Sequence, residues 1–268
     1  MKNYLELLQK VLNEGEYREG RTNVGYLSIF GASLDFDLKN GKLPLTTTKK
    51  LHLPSIIHEL LWMISGDTNT KYLEDNGVTI WREWQDNSGG LGPIDGAQWR
   101  AWGGMEDRFH GVDQLAEVIE EIKKNPNSRR LLISSWNVNG LSSMALPPCH
   151  VMFQFYIQKG KLSCQMYQRS ADVFLGLPFN IAAYSLLTHM VAKVTGLEAS
   201  ALRIVIGDAH LYVNHINQAR EQLGRGVLPQ CPRVNILGNH TDIEQIKYKD
   251  IVVSGYEPHP AIPGKVAI

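Results

Sequence analysis

Apolar positions at the start of the chain recur at helical spacing: Tyr4, Leu5, Leu8, Val11 and Leu12 share one face, and Gly15 follows as a stop. The period then changes. In "SLDFDL" (33–38) polar and apolar residues alternate, as in a strand with one buried face. "LPSIIHELLWMISG" (53–66) predicts a helix, with Pro54 in the first turn, where its missing N–H is not needed, and Gly66 past the end. Val112, Leu115, Val118, Ile119 and Ile122 predict another helix, closed by Asn125-Pro126. "RLLISSW" (130–136) predicts a buried strand, and "HVMFQFYIQKGKLSCQMYQRS" (150–170) two strands folded back at Lys159-Gly160. A very apolar helical pattern over 179–195 predicts a central helix; "LRIVIGD" (202–208) predicts a further strand and 212–223 a further helix. Strands interleaved irregularly with long helices predict an α+β fold: one domain, 1–268, with a mixed, mostly antiparallel sheet packed by long helices.

Composition narrows the class. The 268 residues are 43% hydrophobic, enough for one full core. Basic and acidic residues number 27 each, which argues against a general polyanion binder, so no dedicated nucleic-acid partner is expected. Glu6, Lys10 and Glu14 interrupt the N-terminal apolar pattern, unlike a signal peptide, and no apolar run reaches the roughly 18 residues of a membrane span. Three cysteines, Cys149, Cys164 and Cys231, cannot all pair within one chain, which fits a reducing, cytoplasmic setting.

Common catalytic motifs are missing: there is no phosphate-binding G-x-x-x-x-G-K-[ST], no G-x-G-x-x-G after a strand and no G-x-S-x-G. His210 and His215 lack a third ligand at metal-site spacing, so no metal is expected. Attention falls on "ALPPCH" (145–150). A cysteine is most often a small buried hydrophobe. Here Pro147-Pro148 forbids helix and stiffens an extended approach, placing Cys149 at a rigid strand start. Cys164 sits mid-strand as packing, and Cys231 in a surface-type loop. A nucleophilic thiol needs a cation beside it, and the predicted return strand ends at Arg169. Arg21, Arg129 and Arg130 also stand at element ends. Together the four suit a compact dianion such as a phosphate monoester, although each alone is more often a surface ion-pair partner.

"LPPCH", "CQMYQRSADVFLGLPFNIAAY" and "GDAHLYVNH", with "HELLWMISGDTN", "NGVTIW", "GAQWRAW" and "NSRRLLISSWN" in order before or between them, resemble the thymidylate synthases from end to end. The resemblance implies a homodimer built on a sheet face. It implies methyl transfer to dUMP from 5,10-methylenetetrahydrofolate, a folate that serves as one-carbon donor and reductant. Cys149 would add to C6 of uracil. Arg169 would support the thiolate and hold phosphate with Arg21 and Ser170, while Arg129 and Arg130 would reach the other subunit's site. Ala171 and Leu211 fall within the substrate-binding stretches, and His210 and Tyr212 match the pair that bonds the deoxyribose 3′ hydroxyl. Asn180 can donate to O4 and accept from N3–H, a pattern that suits uracil and opposes cytosine; a helix-capping role is the competing reading. Glu59, in an apolar helix, matches the acid/base carboxylate. Ile80, Trp81, Trp84, Leu146, Gly176 and Phe179 would form the folate wall, with His52 and Asp172 as polar contacts, Asp172 also lying in the nucleotide site. Trp81 and Trp84, three apart, read equally as helix core. The final "KVAI" resembles a tail that closes over folate through Ala267 and the Ile268 carboxylate.

The chain departs from the family at Asp95, in "GPIDGAQW", where tyrosine is usual. A carboxylate there adds negative charge near Glu59, raises one of the two pKa values and alters the water that removes the C5 proton. That change raises a second enzyme reading, deoxyuridylate hydroxymethylase, in which water rather than hydride reaches the exocyclic carbon. A third reading, a catalytically weak homologue acting as a nucleic-acid binder or structural dimer, is opposed by the neutral charge and by the intact Cys149, Glu59 and arginine set. Asn23 and Val24 depart from the usual glycine and threonine beside Arg21, and Arg82 reverses an acidic charge.

Overall fold

The computed structural model describes residues 1–20, 23–104 and 111–267; Arg21 and Ile268 lie outside the described residues. The helices are α1 (Lys2–Glu14), α2 (Leu53–Ile64), α3 (Lys71–Asp75), α4 (Asp95–Arg100), α5 (Gln114–Lys124), α6 (Gly176–Thr195) and α7 (Ile216–Gly224). Strands β1 (Glu16–Arg18), β2 (Tyr26–Asp37), β3 (Leu132–Ser134), β4 (His150–Gln158), β5 (Lys161–Asp172) and β6 (Glu198–Tyr212) form a six-stranded sheet in the order β1-β2-β6-β5-β4-β3. A separate pair, β7 (Arg233–Ile236) and β8 (Ile251–Ser254), is antiparallel.

Of the large sheet's pairings only β5–β6 is parallel, so the sheet is mixed and mostly antiparallel, as the pattern predicts. The β4–β5 hairpin turns at Lys159 (φ 52°) and Gly160 (φ 71°). Two consecutive left-handed residues give the turn whose twist matches that of the strands. The parallel pair needs a crossover, and α6 supplies it. Its length is buried on nearly every side, and β5 turns Leu162, Cys164, Met166 and Gln168 toward the same core. Each such aliphatic side chain contributes about 1.5–3 kcal/mol of burial. Gly196 (φ 71°) ends α6 in the left-handed conformation that glycine adopts without strain.

Several expectations shift. β2 and β6 extend well beyond the alternating stretches, because glycines inside them break the pattern. Gly31 (φ 81°) sits within β2, and a Cβ on Gly207 would stand 2.8 Å from the Arg169 carbonyl. Glycine there lets β6 approach β5 closely at Arg169. Tyr212 consequently lies on β6 and not on the last helix, which begins at Ile216, and His210 lies on the same strand, past the expected end at Asp208. The segment predicted as a buried strand at 130–136 yields only β3, an edge strand with Leu132 exposed. Val112 stays outside α5, which starts after the Asp113 cap accepts from the Ala116 N–H at 3.0 Å. Among the described residues, no helix is long and apolar enough to cross a membrane.

Candidate active site

Strand direction assembles the site. Because β5 and β6 are parallel, their C-terminal ends emerge side by side, with Ser170 opposite Asp208 and Asp172 opposite His210. β4 runs the other way, so its start, His150 opposite Gln168, arrives at the same edge. Cys149, Arg169, Ser170, Asp172, His210 and Tyr212 are thereby brought together. Asp172 Oδ1 accepts the N–H groups of Phe174 (2.9 Å) and Leu175 (3.0 Å), turning the chain into α6. Asn180 then stands in the second turn of that helix. It is not a cap, which removes the competing reading.

The stiff Pro-Pro approach has a specific effect. Its carbonyls anchor Arg169: Nε donates to Pro148 O at 2.8 Å and Nη2 to Pro147 O at 2.9 Å, while the Arg169 N–H donates to Cys149 O at 2.9 Å. Nη2 lies 4.0 Å from the half-buried Cys149 Sγ, and the guanidinium stacks 5.4 Å over Trp136. A fixed cation at this distance favours the thiolate, the nucleophilic form.

Gln168 orders the neighbouring pocket. Its Nε2 donates to Ser170 O (3.0 Å) and to Asn180 Oδ1 (2.9 Å). A backbone carbonyl can only accept, so the Gln168 amide has one orientation, and Asn180 must turn its oxygen toward it. The Asn180 NH2 is left to donate elsewhere. His150 also contacts Asn180, but burial lowers it to about 4, so the ring is neutral near pH 7. Its ring meets that of Tyr184 edge-on at 5.1 Å.

On α2, His58 stacks on Tyr248 (4.4 Å, 8°) and hydrogen-bonds Tyr72 at 3.0 Å, fixing the rotation of the helix. The next residue, Glu59, accepts from Trp81 Nε1 at 2.7 Å. Burial pushes Glu59 up to about 7; the Trp81 bond opposes this and the nearby Asp95 charge adds to it. Asp95, 5% exposed at the start of α4, is likewise pushed up to about 7 by burial, against its own backbone contact and the Arg169 charge. A carboxyl raised in this way holds its proton more tightly folded than unfolded, so its contribution weakens stability as pH rises from about 4.5 to about 7. Glu59→Gln is therefore expected to raise stability above pH 7 by on the order of 1–3 kcal/mol and to leave it unchanged near pH 4. Thermal unfolding at both pH values checks this; equal effects at both would contradict it.

His210 is buried between Tyr26 and Tyr212, at ring separations of 5.4 and 5.2 Å, and its Nδ1 stands 3.3 Å from Asp208 Oδ1, which also accepts the Ser28 hydroxyl. The side chains of Ala171 and Leu211 are in the core, so only their backbone can face a ligand. Arg129 and Arg130 do not join this cluster. They precede β3, whose pairing with β4 sets them near the far end of that strand, roughly 20 Å from Cys149 at about 3.3 Å per residue. Both are exposed, and among the described residues neither makes an ion pair.

The apolar wall is a turn and not a helix: Ile80, Trp81 and Trp84 lie in consecutive turns, the two indoles 5.9 Å apart. Trp84 Nε1 is buried without a partner among the described residues. Leu146, Gly176 and Phe179 are half-buried, and Asp172 keeps one carboxylate oxygen beyond its capping bonds. Aromatic faces with a spare carboxylate oxygen and an indole N–H fit a flat heteroaromatic carrying hydrogen-bonding edges. His52 is exposed and shares a 2.8 Å hydrogen bond with Ser55. The tail packs nearby. His215 Nε2 donates to Lys265 O at 2.8 Å, a Cβ on Gly264 would press on Phe174 and Leu175, and Ala267 is buried.

Sequence reasoning missed Gln168, Trp136, Tyr184 and Lys49. Gln168 carried a signal, since its parity in β5 matches Leu162, Cys164 and Met166, and a polar residue on a core face needs partners. Lys49 is buried, donates to Phe174 O and lies 3.6 Å over that ring; burial lowers it to about 7, opposed by the Asp172 charge. Arg82 pairs with Glu74 at 3.1 Å on the surface, so its reversed charge meets a local partner. No group of three or more His, Cys, Asp or Glu side chains converges as a metal site among the described residues. The family model described as Thymidylate synthase matches residues 2–268.

Proposed function

The chain belongs to the thymidylate synthase family, and on that premise we propose that it converts dUMP to dTMP through a covalent Cys149 adduct. The family transfers a methyl group and uses methylenetetrahydrofolate, which supplies the carbon and the reducing hydride when bound. The observation that carries the reading is the arrangement of Cys149, Arg169 and Asn180 around one strand edge. Cys149 Sγ adds to C6 of uracil; the C6 carbon gains the S–C bond, and the displaced π electrons pass to C5 and O4. Asn180, oriented by Gln168, donates to O4 and accepts from N3–H. Arg169 and Ser170 hold phosphate, joined by Arg21. His210 and Tyr212 take the sugar hydroxyl. Glu59, near neutrality in pKa, moves a proton at O4 and is kept in place by Trp81. His52, Asp172, the Trp81–Trp84 turn, Leu146 and Phe179 bind and orient the folate, and the docked tail excludes water.

A homodimer follows in the same reading. Phe30 is 86% and Tyr156 64% exposed on the strands, aromatic surface that a partner would cover. Arg129 and Arg130, far from their own Cys149, complete the other subunit's phosphate site.

The second reading, deoxyuridylate hydroxymethylase, is favoured by one observation, the Asp95 carboxyl held close to Glu59. Incubation with dUMP and methylenetetrahydrofolate separates the two. The proposal expects dTMP and dihydrofolate in equal amounts. A nucleotide heavier by one oxygen, with tetrahydrofolate released, would replace it with the hydroxymethylase.

A further inference from the structure

The large sheet buries one face and leaves the other open. Phe153, Met166, Ile204 and Leu34 stand opposite one another across β4, β5, β6 and β2, all buried on the side where α6 and α1 pack. Alternate positions point the other way, and there the same four strands carry a polar row. Gln154 stands opposite Gln165, Gln165 opposite Arg203, and Arg203 opposite Asp35. Arg203 and Asp35 are paired as a fork, Nε to Oδ1 at 2.6 Å and Nη2 to Oδ2 at 3.0 Å, with side chains 53% and 62% exposed. Gln154 Nε2 donates to the Arg129 carbonyl at 3.5 Å, which ties the row to the arginine doublet.

Less polar rows flank it. Met152, Tyr167 and Val205 lie in register on one side. Tyr156, Ser163 and Ala201 lie in register on the other, ending at Asp37, whose charge is paired with Lys42 at 2.7 Å. A face so aromatic, small and charge-balanced is unlike a sheet face built for water. A parallel pair such as β5–β6 is ordinarily covered on both sides, and α6 covers one.

Resting on the homodimer reading, we propose that the row Gln154–Gln165–Arg203–Asp35 sets the register in which this face meets a second copy. A two-fold contact brings the same surface to itself. The flanking rows alone would let the two sheets slide by one row, about 7 Å along the strands, with little to oppose it. The polar row forbids the slide. Displaced, its guanidinium, carboxylate and amides would face aromatic rings and lose their water without gaining partners. In register they face polar groups. Gln154 and Gln165 each present a donor and an acceptor, so either satisfies whichever group of the copy's row it meets. The Asp35–Arg203 fork enters with its charges already balanced. Because Gln154 holds the Arg129 carbonyl, a fixed register also fixes where Arg129 and Arg130 arrive in the neighbouring site. Left in water, the same ion pair would contribute almost nothing.

The full-length wild type, Asp35→Ala and the double variant Asp35→Ala/Arg203→Ala are compared by sedimentation over a dilution series and by steady-state kinetics with dUMP. Asp35→Ala strands a guanidinium in the contact and is expected to weaken the dimer roughly 100-fold or more. The double variant removes the stranded charge and is expected to dimerise within a few-fold of wild type, which also shows that the fold survives the loss of Asp35. Its KM for dUMP is expected to rise severalfold at nearly unchanged kcat, because Arg129 and Arg130 arrive in a less fixed place. A dimer unaffected by Asp35→Ala would overturn the proposal. So would a double variant as weakly dimeric as the single one, or one that keeps the wild-type KM. Wild type that sediments as a monomer would overturn the homodimer reading beneath it.

Discussion

Cys149→Ala is expected to abolish turnover, lowering kcat by roughly 10,000-fold or more while leaving nucleotide binding within a few-fold of wild type. The asymmetry follows from the geometry. Arg169 is anchored by the carbonyls of Pro147 and Pro148 and not by the thiol, so the guanidinium keeps its place when sulfur is removed. Asn180 is oriented by Gln168, through a hydrogen bond in which the thiol takes no part. Phosphate and base contacts therefore survive, and only the bond to C6 is lost. Steady-state kinetics with dUMP and calorimetric titration of the nucleotide check the two halves. A parallel collapse of binding would mean that Cys149 holds the site together instead of reacting in it.

The second large effect concerns which base is read. Asn180→Asp is expected to lower kcat/KM for dUMP by about 1,000-fold and to tighten binding of deoxycytidylate at least tenfold. Gln168 Nε2 donates to the Asn180 oxygen, so a carboxylate keeps that bond and loses only the NH2. Uracil O4 then faces an acceptor where it needs a donor, while the cytosine amino group gains one. A hydrogen-bonding pattern presented in a buried site discriminates strongly, because the wrong base leaves groups unpaired. Retention of uracil preference would show that specificity is set elsewhere, for example by His150.

Much of this was legible in the chain. The hairpin at Lys159-Gly160 could be found because a two-residue turn flanked by alternating strands is a local signal. The long helix through Asn180 could be found because its apolar pattern persists from 179 to 195, most of the length of α6. Strand ends were less legible where glycine interrupts alternation, as at Gly31 and Gly207, and β6 runs on through His210 to Tyr212, a residue the pattern assigned to the last helix. The Cys149–Arg169 pair was accessible from hairpin register alone. What hid was anything fixed by tertiary contact: the Gln168 amide that orients Asn180, the carbonyl cradle around Arg169, and the burial that brings Glu59 and Asp95 to similar proton affinity. Trp81 shows the limit well. Three-residue spacing with Trp84 looks like a helix stripe, yet its indole sits in a turn and serves Glu59.

The central claim is that Cys149 bonds covalently to the nucleotide base. The most direct test is peptide mapping by mass spectrometry after wild-type protein is incubated with 5-fluoro-dUMP and methylenetetrahydrofolate. The account predicts one modified peptide, carrying both nucleotide and folate on Cys149 and missing from Cys149→Ala. A modification on Cys164 or Cys231, or no modified peptide, would contradict it.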